Sequence, residues 1–470
     1  MQRRQTAFTV GAERVFTGIM NGNQTDTLGR RVAFHTLGCK VNSYETEAMS
    51  ELFEKNGYEV VPFSDLADVY VINTCTVTNI ADRKSRQMLH RARRQNQNAL
   101  VVAVGCYVQA DRSKAESDPA IDIVVGNNQK MHIVDIVEQY RAPHENAVEN
   151  GVADIDRVSE YENLSIERAL EHTRAYIKIQ DGCNQFCSYC LIPYVRGRVR
   201  SRAAGDILAE ARRLVNNGYQ EIVLTGIHVS SYGTDLSSEE TARDLLGLIQ
   251  RLHDIEGLQR IRLGSLEPQV VTETFAKTLA NLHKVCPHFH LSLQSGCDAT
   301  LRRMNRRYTA EQYARACEML RTYFYHPAIT TDVIVGFPGE SEEEFAQTYA
   351  FVESVHFFET HIFKYSKRER TLAARMPDQI AEPVKTKRSG QLIRLNERQR
   401  LRYLSQWLNK EVSVLFEETV TEDGISYAVG HIPEYCKVYV CTDEPLANQL
   451  RTVTVRQVFQ ERALLGTLIG

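Results

Sequence analysis

The sequence predicts an α/β chain in three parts: an open parallel sheet, a partial barrel of six β/α units, and a small antiparallel β-barrel. Three observations lead there. Short apolar runs alternate with helical patterns over residues 29–143, a longer series of the same kind fills 173–408, and five short β-rich runs crowd into 409–470. With 470 residues the chain is long enough for about three domains of ordinary size.

In the first part the strand candidates are Val32–Thr36, Val69–Asn73, Leu100–Val104 and Ile123–Val125, with helices over Ser43–Lys55 and Ile80–Arg94. Parallel strands end on one side of their sheet, where open α/β sheets bind ligands. Cys39, Cys75 and Cys106 each stand just past one of these strands, so they are expected to converge, although buried core cysteines would also suit loop-proximal positions. Gly38 and Gly105 precede two of them and permit tight backbone turns. Residues 1–28 show no periodicity and are expected to be a disordered extension. The acidic, weakly patterned stretch 144–172 is expected to be a linker.

The second part has strand candidates Ala175–Gln180, Glu221–Thr225, Arg260–Gly264, His288–Leu293, Ile329–Val335 and His361–Tyr365, with helices such as Ala203–Asn216 and Ala310–Tyr323. Directly after its first strand comes DGCNQFCSYC, which places Cys183, Cys187 and Cys190 in a Cys-x3-Cys-x2-Cys array. A four-iron cluster that only carries electrons takes four protein ligands, so three thiolates leave one iron open for chemistry. Structural zinc is the alternative, but it needs further thiolates or imidazoles, and no second Cys-x2-Cys pair follows.

A long basic helix, Pro383–Asn409, leads into the third part, where Tyr427, Tyr435 and Tyr439 either stack on bases or fill the barrel. Arg196, Arg198, Arg200 and Arg202 alternate past the cysteine array, either as a phosphate-contacting row or as a solvated charge run. Arg83, Arg86, His90 and Arg94 recur at near-helical spacing, again as a nucleic-acid face or a solvated one. Cys286, Cys297, Cys317, Cys436 and Cys441 share no ligand spacing. The odd total of eleven cysteines, with no export signal evident, favours reduced thiols and a cytoplasmic location over a disulfide framework. No apolar run approaches the roughly 20 residues of a membrane span.

The array resembles the signature of radical S-adenosylmethionine (SAM) enzymes. Together with TLGCKVNSYETE (Thr36–Glu47), the convergent cysteines and the terminal barrel, the chain from about residue 30 to 468 resembles the methylthiotransferase family. That resemblance implies two [4Fe-4S] clusters, one on Cys39, Cys75 and Cys106 and one on Cys183, Cys187 and Cys190, a radical SAM partial (β/α)6 barrel, and an RNA-binding TRAM barrel of OB-like form. It implies reductive cleavage of one SAM to a 5′-deoxyadenosyl radical and methylation of a cluster-borne sulfur by a second. The Cys-Lys-Val-Asn run followed by Tyr44, Glu45, Thr46 and Glu47 is similar to the branch acting at adenine C2 of threonylcarbamoyladenosine, 3′ of the tRNA anticodon. Sister branches act on isopentenyladenosine or on a ribosomal-protein aspartate. An RNA-binding protein with structural metal sites is the non-enzymatic reading.

Family motifs further imply cofactor contacts at Tyr189, Gly226, Ser292, Gln294, Ser295, Gly336, Pro338 and Gly339. The Gly-Gly-Glu turn common after the second strand reads Leu224-Thr225-Gly226-Ile227 here, so only Gly226 carries over and the acidic partner is absent. Asp332, inside the fifth strand, is either a lining residue or a satisfied polar group. The expected partners are tRNA, a low-potential electron donor and a sulfur source.

Overall fold

The computed structural model describes residues 30–142, 151–167, 173–237 and 243–469, so the expected extension 1–28 lies outside the described residues. Five strands form the first sheet: β1 (Arg31–Thr36), β2 (Glu59–Val61), β3 (Val69–Thr74), β4 (Leu100–Gly105) and β5 (Ile123–Val125). Their order is β2-β1-β3-β4-β5, every pair parallel. Both faces are covered, which is why the strands read as continuous apolar runs. Tyr70 and Ile72 pack with Leu89 and Ala92 of helix α2 (Asn79–Gln95). Val69 and Val71 pack with Met49 and Phe53 of helix α1 (Lys40–Lys55) on the other side. Helix α1 starts three residues earlier than expected because Cys39 is its N-cap residue without offering a side-chain cap, whereas Thr78 caps α2 by accepting from the Ala81 amide.

Six parallel strands follow: β6 (Arg174–Asp181), β8 (Glu221–Gly226), β9 (Arg260–Leu263), β10 (His288–His290), β11 (Ala328–Val335) and β12 (Glu359–Lys364). They form two sheets, β6-β8-β9 and β10-β11-β12, joined by the bridges Ile261–Val285 and Leu266–Leu291. One antiparallel pair interrupts the six β/α units expected here. Strand β7 (Arg200–Ser201) folds back antiparallel onto the end of β6, too short to show a periodic signal. Period-two alternation sorts these strands by face. Ala175, Ile177, Ile179, Ile222, Leu224, Ile261, Leu263, Phe289 and Val333 join the helical layer in one core. The other face carries Arg174, Lys178, Gln180, Glu221, Arg262, His290, Asp332 and His361, a polar wall that an ordinary core would not tolerate.

The stretch expected to be a linker does more than connect: among its described residues, Leu164 and Ile166 are buried in the core of the six-stranded part. The basic helix spans Glu382–Ser405, four residues short of the expected end. Its last turns bring Leu404 and Trp407 against a closed barrel of β13 (Glu411–Glu422), β14 (Ile425–His431), β15 (Lys437–Cys441), β16 (Leu450–Phe459) and β17 (Ala463–Leu468). All its pairs are antiparallel except β15–β17. Tyr427 and Tyr439 are corrected as base-stacking candidates. They are 7% and 8% exposed and interlock with Phe459 in a small apolar cluster.

The terminal barrel sits against the amino ends of the parallel strands. Arg262 donates to Pro433 O at 2.7 Å and Arg260 to His431 O at 2.9 Å. Tyr435 is held between the Arg174 and Arg262 guanidinium groups, 5.0 and 4.7 Å from its ring, and is stacked by His431, so it too is engaged inside the protein and not presented to RNA. Glu221 anchors the group through Arg262 at 2.6 Å. Against the desolvation of burial, Arg262 holds the Glu221 carboxyl at about 2, below its ordinary 4.5. A depressed carboxyl contributes stability above its unfolded pKa and loses it as pH falls through the folded one. The contribution of Glu221 to thermal stability is therefore expected to hold steady from pH 7 to 5 and to weaken from about 4.5 towards 2. Glu221→Gln should start less stable at pH 7 by about 3–5 kcal/mol, because Arg262 is left buried and unpaired, and should show a flatter acid profile. Parallel profiles would contradict this account.

Candidate active site: two cysteine trios around one cavity

Cys39, Cys75 and Cys106 follow β1, β3 and β4, three neighbouring strands of one sheet. Gly38 and Gly105 have φ of +116° and +94°. A Cβ on Gly38 would stand 3.1 Å from Cys75 Cβ, and one on Gly105 would stand 2.7 Å from Asn73 Oδ1, so both space and backbone demand glycine before these cysteines. Cys75 and Cys106 are buried and Cys39 is exposed. Asn42 ties the loops together by donating to Leu37 O at 2.6 Å and Thr74 O at 3.0 Å. Asn127 donates to Cys106 Sγ at 3.7 Å.

The second trio lies at the carboxyl end of β6. Each of its sulfurs receives an N–H: Cys183 from the Gln185 amide at 3.5 Å, Cys190 from the Ile192 amide at 3.4 Å, and Cys187 from the Arg306 guanidinium at 3.2 Å. Donors aimed at sulfur are the surroundings that thiolate ligands of iron–sulfur clusters use, and they help set cluster potential. Arg306 is fixed for this contact by both Glu267 oxygens at 2.6 Å and lies over the Tyr308 ring. Neither Arg306 nor Glu267 is singled out by the sequence reading. Their one sequence signal is position, Glu267 lying just past β9. Burial pushes Cys183 and Cys75 up to about 11 and Cys190 up to about 12, so these groups are neutral thiols at pH 7 until coordination takes their protons.

The spacing of the trios bears on which metal fits. Tetrahedral zinc with Zn–S bonds of about 2.3 Å holds its sulfurs roughly 4 Å apart. Among the described residues, neither trio brings its ligand atoms within 4.8 Å of one another. The donors therefore suit separate irons of a cluster better than a single ion.

One cysteine of each trio faces a shared cavity of about 240 Å3, Cys106 from one side and Cys190, next to Tyr189, from the other, with Gln294, Asp332 and Phe363 among its walls. Of the expected cofactor contacts, the structure brings Tyr189 and Gln294 to this cavity. Gly226 ends β8 against Gln180 O, and Ser292 O accepts from Tyr308 Oη at 2.5 Å, neither of them lining it. Ser295 is corrected: fully buried, it is occupied by Thr348 at 3.0 Å. Gly336, Pro338 and Gly339 form a turn clamped from behind. A Cβ on Gly336 would collide with Lys385, and Arg303 donates to the carbonyls of Pro338 and Gly339 at 3.2 Å each.

The arginine row is also corrected. Arg196, Arg200 and Arg202 are 0%, 1% and 2% exposed, because the fold-back at β7 turns them inward. Only Arg198 stays half-exposed, beside Asp156 and over Phe186. Arg202 pairs with Glu210, which also accepts from Tyr44 Oη at 3.0 Å. Arg196 joins a buried lock between the sheet and the six-stranded part. It reaches Glu45 Oε1 at 2.7 Å, Asn42 Oδ1 at 2.8 Å and Asp181 at 3.2 Å, while Lys178 bridges Glu45 and Asp181 at 2.7 and 2.5 Å. Lys130 closes the group on Glu45 and on Asn127. Against the desolvation of burial, Arg196, Lys130 and Lys178 hold Glu45 well below the usual carboxylate range. The Asn42 and Glu45 of the Thr36–Glu47 motif are thus the hinge pins between the two cysteine trios. On α2, Arg83, His90 and Arg94 are exposed, and His90 meets Asp118 at 3.2 Å.

Two family models match the chain: the radical SAM superfamily over residues 177–352 and uncharacterized protein family UPF0004 over residues 31–126. The chain is 43% identical to a threonylcarbamoyladenosine tRNA methylthiotransferase, MtaB, of Bacillus subtilis, across 90% of this chain and 93% of that one. It belongs to the radical SAM methylthiotransferase family. Another relative of this methylthiotransferase, the MtaB of Aquifex aeolicus, is 40% identical over 83% of this chain and 93% of its own length. A tRNA-2-methylthio-N(6)-dimethylallyladenosine synthase of Thermoanaerobacter is 34% identical over 93% of each chain. Among solved structures, the radical SAM methyltransferase TsrM of Kitasatospora setae superposes with a TM-score of 0.52 at 15% identity, covering 72% of each chain, which speaks to fold alone. As a radical SAM methylthiotransferase the protein uses SAM and a [4Fe-4S] cluster. No helix among the described residues is long and apolar enough to cross a membrane.

Proposed function

We propose that the protein is a tRNA methylthiotransferase that inserts a methylthio group at C2 of threonylcarbamoyladenosine, 3′ of the anticodon. The observation that carries the reading is the shared cavity: Cys106 of one trio and Cys190 of the other face the same space. Radical formation and sulfur delivery must meet at one carbon, and that arrangement lets them. Cys183, Cys187 and Cys190 would hold the cluster that binds SAM, and Cys39, Cys75 and Cys106 a second [4Fe-4S] cluster. When bound, these groups supply a strongly oxidising carbon radical and an activated sulfur. The chain's own residues aim N–H donors at the cluster sulfurs and fix the spacing of the trios through Glu45 and Arg196. We assign 29–143 to the second-cluster domain, 173–408 to a radical SAM barrel and 409–470 to a TRAM barrel that contacts tRNA. A low-potential donor and a sulfur source complete the cycle.

The substrate branch is favoured by the MtaB relatives and by the Cys39–Glu47 run, and the dimethylallyladenosine relatives define the rival. Anaerobic reconstitution, followed by reductant, SAM and tRNA bearing threonylcarbamoyladenosine, should give a methylthio mass increase on that nucleoside. Modification of isopentenyladenosine instead would move the protein to the other branch. 5′-Deoxyadenosine without modification of either would reject both substrates.

A further inference from the structure

The polar inner wall contains one feature that neither cluster explains. His290 on β10, Asp332 on β11 and His361 on β12 stand on three neighbouring parallel strands, and their ligand atoms all lie within 4.8 Å of one another. Backbone register produces this: Asp332 pairs directly with His361, and His290 pairs with Thr330, two residues before Asp332 on the same face. Among the described residues it is the only such group of three or more His, Cys, Asp or Glu side chains.

We propose that His290, Asp332 and His361 form a binding site for a divalent metal ion, separate from both cysteine trios. Two imidazoles and one carboxylate are a donor set for Zn2+, Fe2+ or Mn2+ that leaves coordination positions open. The surroundings favour ligation. His290 Nδ1 meets Thr330 Oγ1 at 3.0 Å, and that hydroxyl also faces His288 Nε2 at 3.4 Å. A Thr330 hydroxyl that donates to His288 accepts from His290 Nδ1–H, which leaves a lone pair on His290 Nε2, the atom 3.3 Å from Asp332 Oδ2. A ring nitrogen fixed from behind by a hydrogen bond is the usual arrangement of a metal-bound histidine. The His290–Asp332 contact alone would serve an ordinary ion pair, but it does not account for His361, whose ring stacks on His290 at 5.8 Å on the exposed side. Asp332 also lines the cavity shared by the trios, so a bound ion would stand at the edge of that space.

The test is equilibrium dialysis of the fully cluster-loaded protein against Mn2+, read by metal analysis and by the Mn2+ electron paramagnetic resonance signal. Mn2+ prefers oxygen and nitrogen donors, which keeps the cysteines out of the measurement. One saturable Mn2+ per chain is expected. It should bind at least 10-fold more weakly in His361→Gln and in Asp332→Asn, with iron and sulfide content equal to wild type in both. Absence of a saturable Mn2+ in the wild type, or equal binding in both variants, would overturn the site and leave His290 and Asp332 as an ion pair.

Discussion

Replacing Glu45 by glutamine is expected to lower the thermal transition of the protein and to reduce the iron it retains on reconstitution. Glu45 is fully buried and accepts from Lys178, Arg196 and Lys130 at once. Removing its charge leaves those three cations with Asp181 as the remaining carboxylate of the lock. Breaking a buried pair by removing one partner costs about 3–5 kcal/mol, since the uncompensated charge stays desolvated. The loss should fall on the contact between the first sheet and the six-stranded part, so limited proteolysis should cut near residues 143–172 faster in the variant. A variant that melts and loads iron like the wild type would show that the lock is dispensable.

The second large effect separates the trios. Cys183→Ala is expected to abolish SAM cleavage, measured as 5′-deoxyadenosine, because it removes one of the three sulfurs proposed to hold the SAM-binding cluster. Cys75→Ala is expected to keep cleavage and lose sulfur insertion. The two sites stand on different elements, Cys75 past β3 and Cys183 past β6, so each substitution leaves the other trio's ligands in place. Equal loss of both activities in both variants, with folding intact, would contradict the division of roles.

Much of this site is legible in the sequence, and the reasons are specific. Cys39, Cys75 and Cys106 are remote in sequence, but each follows an apolar run, and parallel strands deliver their ends to one edge. Strand existence was equally clear because both faces of the first sheet are buried. What escaped were features whose signal is short or whose partner is distant. Strands β2 and β7 have three and two residues. The alternation of Arg196, Arg198, Arg200 and Arg202 suggests one shared face, but the backbone there is not one regular strand: Arg198 stays half-exposed while the other three turn inward. Glu45 read as part of a family motif because Arg196, its partner, lies 151 positions away. His290 and His361 offered no ligand spacing at all, since only the register of three strands brings them together. Tyr427 and Tyr439 were ambiguous for the opposite reason: aromatic residues serve barrel cores and base stacking equally well, and composition does not choose.

The long reach of the Arg196 contact has a consequence for synthesis. The first sheet and its three cysteines are complete in the chain by residue 142, but Lys178, Asp181 and Arg196 emerge roughly 35 to 55 residues later. At ordinary translation rates that is an interval of roughly 3–10 s. During it the Cys39 edge has no ionic lid, and of the three cations that meet Glu45 only Lys130 has been made. The nascent protein therefore passes through a stage in which Cys39, Cys75 and Cys106 have been made and Cys183, Cys187 and Cys190 have not. The same ionic contact that spaces the two trios in the finished enzyme closes that stage.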